Sequence, residues 1–104
     1  MEEEIKKKKC YNSGMISALS YLEAYQNFLL ADREIALRGY LPVNPMREKW
    51  LKPSAPWLCH MVVDVWKMLG CKAVFFQRNW SESRGARIEF QIALALGKEL
   101  IYQK

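Results

Sequence analysis

The segment Trp80-Ser81-Glu82-Ser83-Arg84-Gly85-Ala86-Arg87-Ile88-Glu89-Phe90 holds the residues best suited to chemistry. On a helix, Glu89 has Ala86 at i−3, Ile92 at i+3 and Ala93 at i+4, so it shares the apolar stripe and its carboxylate faces inward. Gly85 stands at i−4 on the same face. Helical side chains lean toward the N-terminus, so the acid is expected to lie over a position without a side chain, leaving a hole beside it. The helix begins next to Ser81 and Ser83, where free N–H groups and the positive end of the macrodipole can hold an anion. The two features are about six residues apart, roughly 9 Å of helix axis, which a nucleotide or nucleoside sugar can span. A plainer reading pairs Glu89 with Arg84, Arg87 or a neighbouring chain and leaves Ser83 as a helix cap.

Asp64 is the second candidate, because it interrupts the row Trp57, Met61, Asp64, Met68. A lone carboxylate in an aromatic and thioether stripe must be paired, shifted in pKa or solvated in a cleft. Alternatively the row lies at the rim of its helix and Asp64 reaches water beside His60 at i−4. His60 is the only histidine and has no companion ligands, so it reads as a surface residue. The sequence contains no G-x-G-x-x-G fingerprint, P-loop, G-x-S-x-G elbow or metal-ligand cluster. Nicotinamide, ATP-dependent and serine-hydrolase chemistry lose support accordingly, and neither a cofactor nor a metal is expected. Two carboxylates near an anion site suit glycosidic-bond chemistry, with one acid attacking the anomeric carbon and the other handling a proton.

These residues need a frame. Ser20-x-x-Glu23 has the capping-box form, and Tyr21, Tyr25, Phe28, Asp32 and Ile35 then recur at helical spacing until Gly39. Residues 40–45 read as a short strand running into a loop, kept brief by Pro42 and Pro45. Residues 47–56 read as a connection, with Pro56 suited to the first turn of a second helix that runs to about Leu69. Ala73-Val74-Phe75-Phe76 is a strand covered on both faces. A third helix runs from about Ser83 to Leu96 and stops at Gly97, and Leu100-Ile101-Tyr102 is a last strand. The opening strand, Ile5 to Tyr11, is placed by topology more than by its residues, which include four consecutive lysines. Strands alternating with helices imply an α/β fold of three layers, flavodoxin-like or Rossmann-like, with about four parallel strands and helices on both faces. Ligands then bind beyond the carboxyl ends of the strands, at the loops after residues 13 and 77.

Length and composition agree with such a domain. The 104 residues are 51% apolar and 26% charged, enough for one domain, 1–104, with a charged segment at 1–9. Three cysteines without a C-x-x-C pair read as free thiols in a reducing, cytoplasmic setting. MEEEIKKKKC lacks the apolar core of a signal peptide, and no apolar run nears ~18 residues, so no membrane segment is expected. Of the net charge of +5, residues 1–9 carry +1, four Lys against three Glu; the positive body favours anionic ligands. Its basic residues are dispersed, so nucleic acid is not the expected partner. Four Trp and five Tyr exceed what one small core hides, which points to a homodimer or larger homo-oligomer.

The chain also resembles the nucleoside 2-deoxyribosyltransferase-like superfamily, which includes the 2′-deoxynucleoside 5′-monophosphate N-glycosidases. The resemblance runs from Cys10 to Gln103. It is carried by Tyr11-Asn12-Ser13-Gly14-Met15-Ile16, Tyr40-Leu41-Pro42-Val43-Asn44-Pro45, Asp64-Val65-Trp66-Lys67-Met68-Leu69, Ser83-Arg84-Gly85-Ala86-Arg87-Ile88-Glu89 and Ala93-Leu94-Ala95-Leu96-Gly97-Lys98. It implies that Glu89 attacks C1′ of a nucleoside or nucleotide and that Asp64 positions the sugar or helps protonate the base. Tyr11, Ser13, Gly14 and Met15 would form the substrate loop, with Ser83 and Gly85 also at the substrate. Deoxyribosyltransferases proper tend to carry aspartate six residues before the nucleophile, and the monophosphate glycosidases serine; Ser83 therefore points to a 5′-monophosphate, which a serine at a helix N-terminus can receive. Asn12 stands where relatives usually carry an apolar residue. The alternative is a catalytically silent nucleotide-binding module of the same fold.

Overall fold

Two serine caps open two of the three α-helices among the described residues. Ser20 Oγ accepts the backbone N–H of Glu23 at 3.1 Å and starts α1 (Tyr21–Leu37). Ser83 Oγ accepts that of Ala86 at 3.2 Å and starts α3 (Arg84–Ala95). Each cap satisfies an N–H that the first helical turn leaves without a partner. Both helices end before glycines with positive φ, Gly39 at 91° and Gly97 at 70°, a backbone state that a side chain would strain. The remaining helix, α2 (Trp57–Leu69), follows Pro56 at φ −58°.

The computed structural model describes residues 7–16, 19–47, 51–52 and 54–104. Its strands are β1 (Lys9–Ser13), β2 (Leu41–Val43), β3 (Ala73–Phe76) and β4 (Glu99–Tyr102). All pair in parallel, in the order β2-β1-β3-β4. Tyr11 pairs with Val74 and Ser13 with Phe76, so both point to one face, while Cys10 and Asn12 point to the other. On the first face Tyr11, Val74 and Phe76 pack with Met68 of α2 and Ala93 of α3. On the second, Cys10, Ala73 and Phe75 pack with Ala31 and Ile35 of α1. The result is the three-layer α/β fold expected, and β3 is buried at every position.

The first strand differs from expectation. Ile5 and Lys6 lie outside the described residues, Lys7 and Lys8 precede the strand and are exposed, and the strand extends past Tyr11 to Ser13. Pairing with Ala73–Phe76 selects this register, because it puts Cys10 and Tyr11 into the two cores and the lysines into water. Two polar residues, Asn12 and Ser13, are thereby carried into the centre of the sheet, both buried. A further difference is one turn of 3-10 helix, Trp80–Glu82, between β3 and α3. It stacks Trp80 on Phe90, ring centres 4.7 Å apart.

Candidate functional site

The strand order places β1 and β3 side by side with their connections leaving on opposite faces, the arrangement at which open parallel sheets take ligands. Glu89 of α3 is delivered there. It is 5% exposed, and its carboxylate receives two hydrogen bonds from β1: Tyr11 Oη donates to Oε2 at 2.8 Å and Ser13 Oγ to Oε1 at 2.7 Å. Arg87 instead donates to the Ser81 carbonyl at 2.9 Å, and the Arg84 guanidinium lies over the Trp57 ring, 4.4 Å from its centre. Among the described residues, then, Glu89 is held by hydroxyls and not by the neighbouring arginines.

Burial pushes the Glu89 carboxyl up to about 7; the hydrogen bonds from Ser13 and Tyr11 pull the other way, and the charge of Asp64 adds to the rise. Tyr11 is pushed well above the ordinary phenol range, first by its burial and then by Glu89 and Asp64. It therefore stays protonated and remains a donor. A carboxylate that titrates near neutrality, oriented by two fixed hydroxyls, is available as a base or nucleophile on the alkaline side of that value.

Beside Glu89 is a cavity of about 330 Å³. Tyr11, Gly14, Asp64, Ser83, Gly85 and Glu89 all line it, so the structure brings six of the eight candidate residues to one space. Ser13 reaches that space through its bond to Glu89. Met15 is buried, gives its backbone N–H to Asn79 Oδ1 at 3.2 Å, and does not line the cavity. The space above Gly85 is shared with Met61: a β-carbon there would sit 3.0 Å from Met61 Sδ. The expected hole is thus partly filled by a flexible thioether.

Several lining residues were not picked out from the sequence. Trp57, Lys67 and Arg84 line the cavity, and His60, read as a surface residue, is half-buried in its wall. Their helical spacing from Asp64, with Trp57, His60 and Lys67 at −7, −4 and +3, was the available signal. Apolar residues complete much of the lining, among them Ile16, Phe28, Pro45, Met46 and Leu51. Among the described residues no three His, Cys, Asp or Glu side chains gather as metal ligands would.

On the other face of β1, Asn12 Nδ2 donates to the Phe28 carbonyl at 3.0 Å and to Asp32 Oδ1 at 2.9 Å, while its Oδ1 accepts from Gln77 Nε2 at 2.7 Å. Asn44 Nδ2 donates to Asp32 Oδ2 at 3.0 Å. Among the described residues no buried side-chain nitrogen or oxygen lacks a partner, so Asn12 in the central strand is fully compensated.

Fold and site together define an α/β domain with a buried, hydroxyl-held acid at the switch point of a parallel sheet. The chain belongs to the family described as a domain of unknown function, DUF4406, whose model matches residues 8–102. Among solved structures it is similar to a 2-desoxiribosyltransferase from Leishmania mexicana, at 20% identity and a TM-score of 0.63. That match covers 91% of this chain and 63% of the other, so the chain spans under two thirds of that protein's length. The likeness establishes the fold, the one anticipated for the nucleoside 2-deoxyribosyltransferase-like superfamily. No curated protein matches the chain. No helix among the described residues is long and apolar enough to cross a membrane.

Proposed function

We propose that the chain cleaves or exchanges the N-glycosidic bond of a nucleoside or nucleoside 5′-monophosphate, with Glu89 as the nucleophile. The observation that carries this reading is the Glu89 carboxylate: buried, oriented by Tyr11 and Ser13, and bordering a cavity within the range of small-molecule sites, roughly 300–1,000 Å³. In the first step a Glu89 oxygen bonds to C1′, the C1′–N bond breaks, and its electron pair leaves with the base, which takes up a proton. In the second, water or another base attacks C1′ and releases Glu89. Asp64, which also lines the cavity, positions the sugar or assists protonation of the base. Ser83 and Arg84, at the N-terminus of α3, suit a 5′-phosphate: the serine oxygen serves the cap while its proton can still be donated.

One observation supports a second reading, a nucleotide-binding module without chemistry: both Glu89 oxygens already accept a hydrogen bond. Assaying base release from ribo- and deoxyribonucleosides and their 5′-monophosphates separates the two. Release by the wild type, abolished in Glu89→Ala and weakened in Asp64→Asn, is the expected result. Equal release by wild type and Glu89→Ala removes the nucleophile assignment, and binding without release in either protein establishes the silent module.

We further infer that the chain works as a homodimer or larger assembly. Leu58, Val62, Trp66 and Leu69 form one stripe along α2, between 44% and 66% exposed, whereas the charged residues of that helix, Asp64 and Lys67, line the cavity.

A further inference from the structure

Asp32 is a buried carboxylate that the proposed chemistry does not use. It lies on α1, across the sheet from Glu89, in a position that the helical pattern assigns to the apolar face, with Phe28 at i−4 and Ile35 at i+3. Such a residue costs stability unless its oxygens are satisfied, and here they are satisfied by the parts of the chain that build the cavity. Oδ1 accepts from Asn12 of β1 and Oδ2 from Asn44, which follows β2. The Arg47 guanidinium stands 3.9 Å from Oδ2, itself largely exposed.

Both hydrogen bonds lead to the candidate site. Asn12 sits between Tyr11 and Ser13, so holding its side chain on the α1 face sets the strand whose other face presents the two hydroxyls to Glu89. Its carbonyl also accepts from Gln77, whose side chain crosses Gly14 so closely that a β-carbon there would meet Gln77 Cδ at 2.4 Å. Asn44 Oδ1 accepts the backbone N–H of Met46 at 2.8 Å, fixing the turn that contributes Pro45 and Met46 to the apolar lining. One carboxylate thus joins the carboxyl ends of β1 and β2 and, through Asn12, that of β3.

We propose that Asp32 is a positioning residue for the candidate site, holding through Asn12 and Asn44 the strand end that carries Tyr11 and Ser13 and the turn that carries Pro45 and Met46. It acts through these residues and touches neither Glu89 nor the cavity. The inference concerns the geometry of the site and stands whichever reaction, or none, the site performs. The groups that face Glu89 are Tyr11 and Ser13 from β1 and Asp64 from α2, and Asp32 reaches it only through the first two.

The test needs no substrate. The Glu89 side-chain carboxyl is titrated by carbon-13 NMR in the wild type and in Asp32→Asn, which keeps the shape but turns an amide donor toward Asn12 or Asn44. A folded Asp32→Asn protein should show a Glu89 midpoint displaced upward, because slackened Tyr11 and Ser13 bonds hold the anion less well. An unchanged midpoint in that folded variant overturns the proposal, whatever happens to its melting temperature. Should Asp32→Asn fail to fold, Asn44→Ser decides: serine can still accept the Met46 N–H but no longer reaches Asp32. The Met46 methyl signal should then shift or broaden, and an unmoved signal overturns the proposal. A Glu89 midpoint that moves in a protein without base-release activity supports the positioning role while removing the glycosidic reading.

Discussion

At the residue scale the consequential feature is an acid kept in a poorly solvated place by two hydroxyls. Glu89 is raised from 4.5 to about 7, so the folded chain holds a proton that the unfolded chain has lost between those values. Stability therefore falls as pH rises through that window, and the cost is complete above about pH 7, roughly 3 kcal/mol from the size of the shift. Glu89→Gln should match the wild type near pH ~4 and exceed it by about 2–3 kcal/mol near pH ~8, as read by urea denaturation at the two pH values. On the proposed reaction, activity should climb through about pH 7 with the slope of one ionisation, as pH–rate measurements on a nucleoside substrate would show. Asp64→Asn removes a like charge and should move that limb to lower pH. That Glu89 faces inward was legible from its neighbours three and four residues away. Its hydrogen-bond partners were not legible from spacing, because Tyr11 and Ser13 lie 78 and 76 residues earlier and meet it only through the sheet. The resemblance placed them at the site without saying that they would hold the acid. Asp32 left the same trace as Glu89, a carboxylate in an apolar row, and its buried role could have been read from it.

At the element scale, two glycines beside the cavity separate tight packing from loose packing. A β-carbon on Gly14 would fall 2.4–2.7 Å from three atoms of the Gln77 carboxamide, which is buried and bonded to Asn12. Gly14→Ala should expel that side chain, leave Asn12 short of a partner and destabilise the fold by about 1–3 kcal/mol, measurable as a lower denaturation midpoint. A β-carbon on Gly85 would press closely on Met61 Sδ alone, at 3.0 Å, with Met61 Cε and Ser83 Oγ at ordinary contact distance. Methionine can turn aside, and alanine in a first helical turn regains up to ~1 kcal/mol of propensity, so Gly85→Ala should leave stability nearly unchanged while Met61 is pressed into the cavity, and on the proposed function nucleotide binding weakens. Helix limits were readable because caps and terminal glycines are local chemistry: Ser20, Gly39, Ser83 and Gly97 all act within a turn of their own position. The first strand was readable only in outline. Four consecutive lysines obscured it in the sequence; its register is chosen by pairing with Ala73–Phe76, a contact across the chain, and the polar Asn12 it carries inward is solvated by Phe28, Asp32 and Gln77 instead of water.

At the scale of the whole molecule, the balance of aromatic and aliphatic surface decides how the chain exists in solution. Both faces of the sheet are covered by helices, so most of the exposed apolar area lies on the helices, with Tyr21, Leu22, Leu30 and Leu37 on α1 among it. On α2, Leu58, Val62, Trp66 and Leu69 recur at four, four and three residues along one exposed stripe, turned away from the buried Met61 and Met68. A stripe confined to one helix can meet its own copy across a twofold axis, each residue facing its symmetry partner or a neighbour, without leaving an open end for further growth. Large side chains set among uncharged neighbours are also the composition found at the buried centre of protein interfaces. Light scattering should therefore give at least twice the single-chain mass, and Trp66→Glu should reduce it to one chain while circular dichroism and the Glu89 titration stay as in the wild type. The substitution tests assembly alone, because Trp66 is 66% exposed and lies away from Met68 and the core beneath it. A wild-type chain that scatters as a monomer at high concentration, with Trp66→Glu indistinguishable from it, would remove the assembly and leave the stripe as surface.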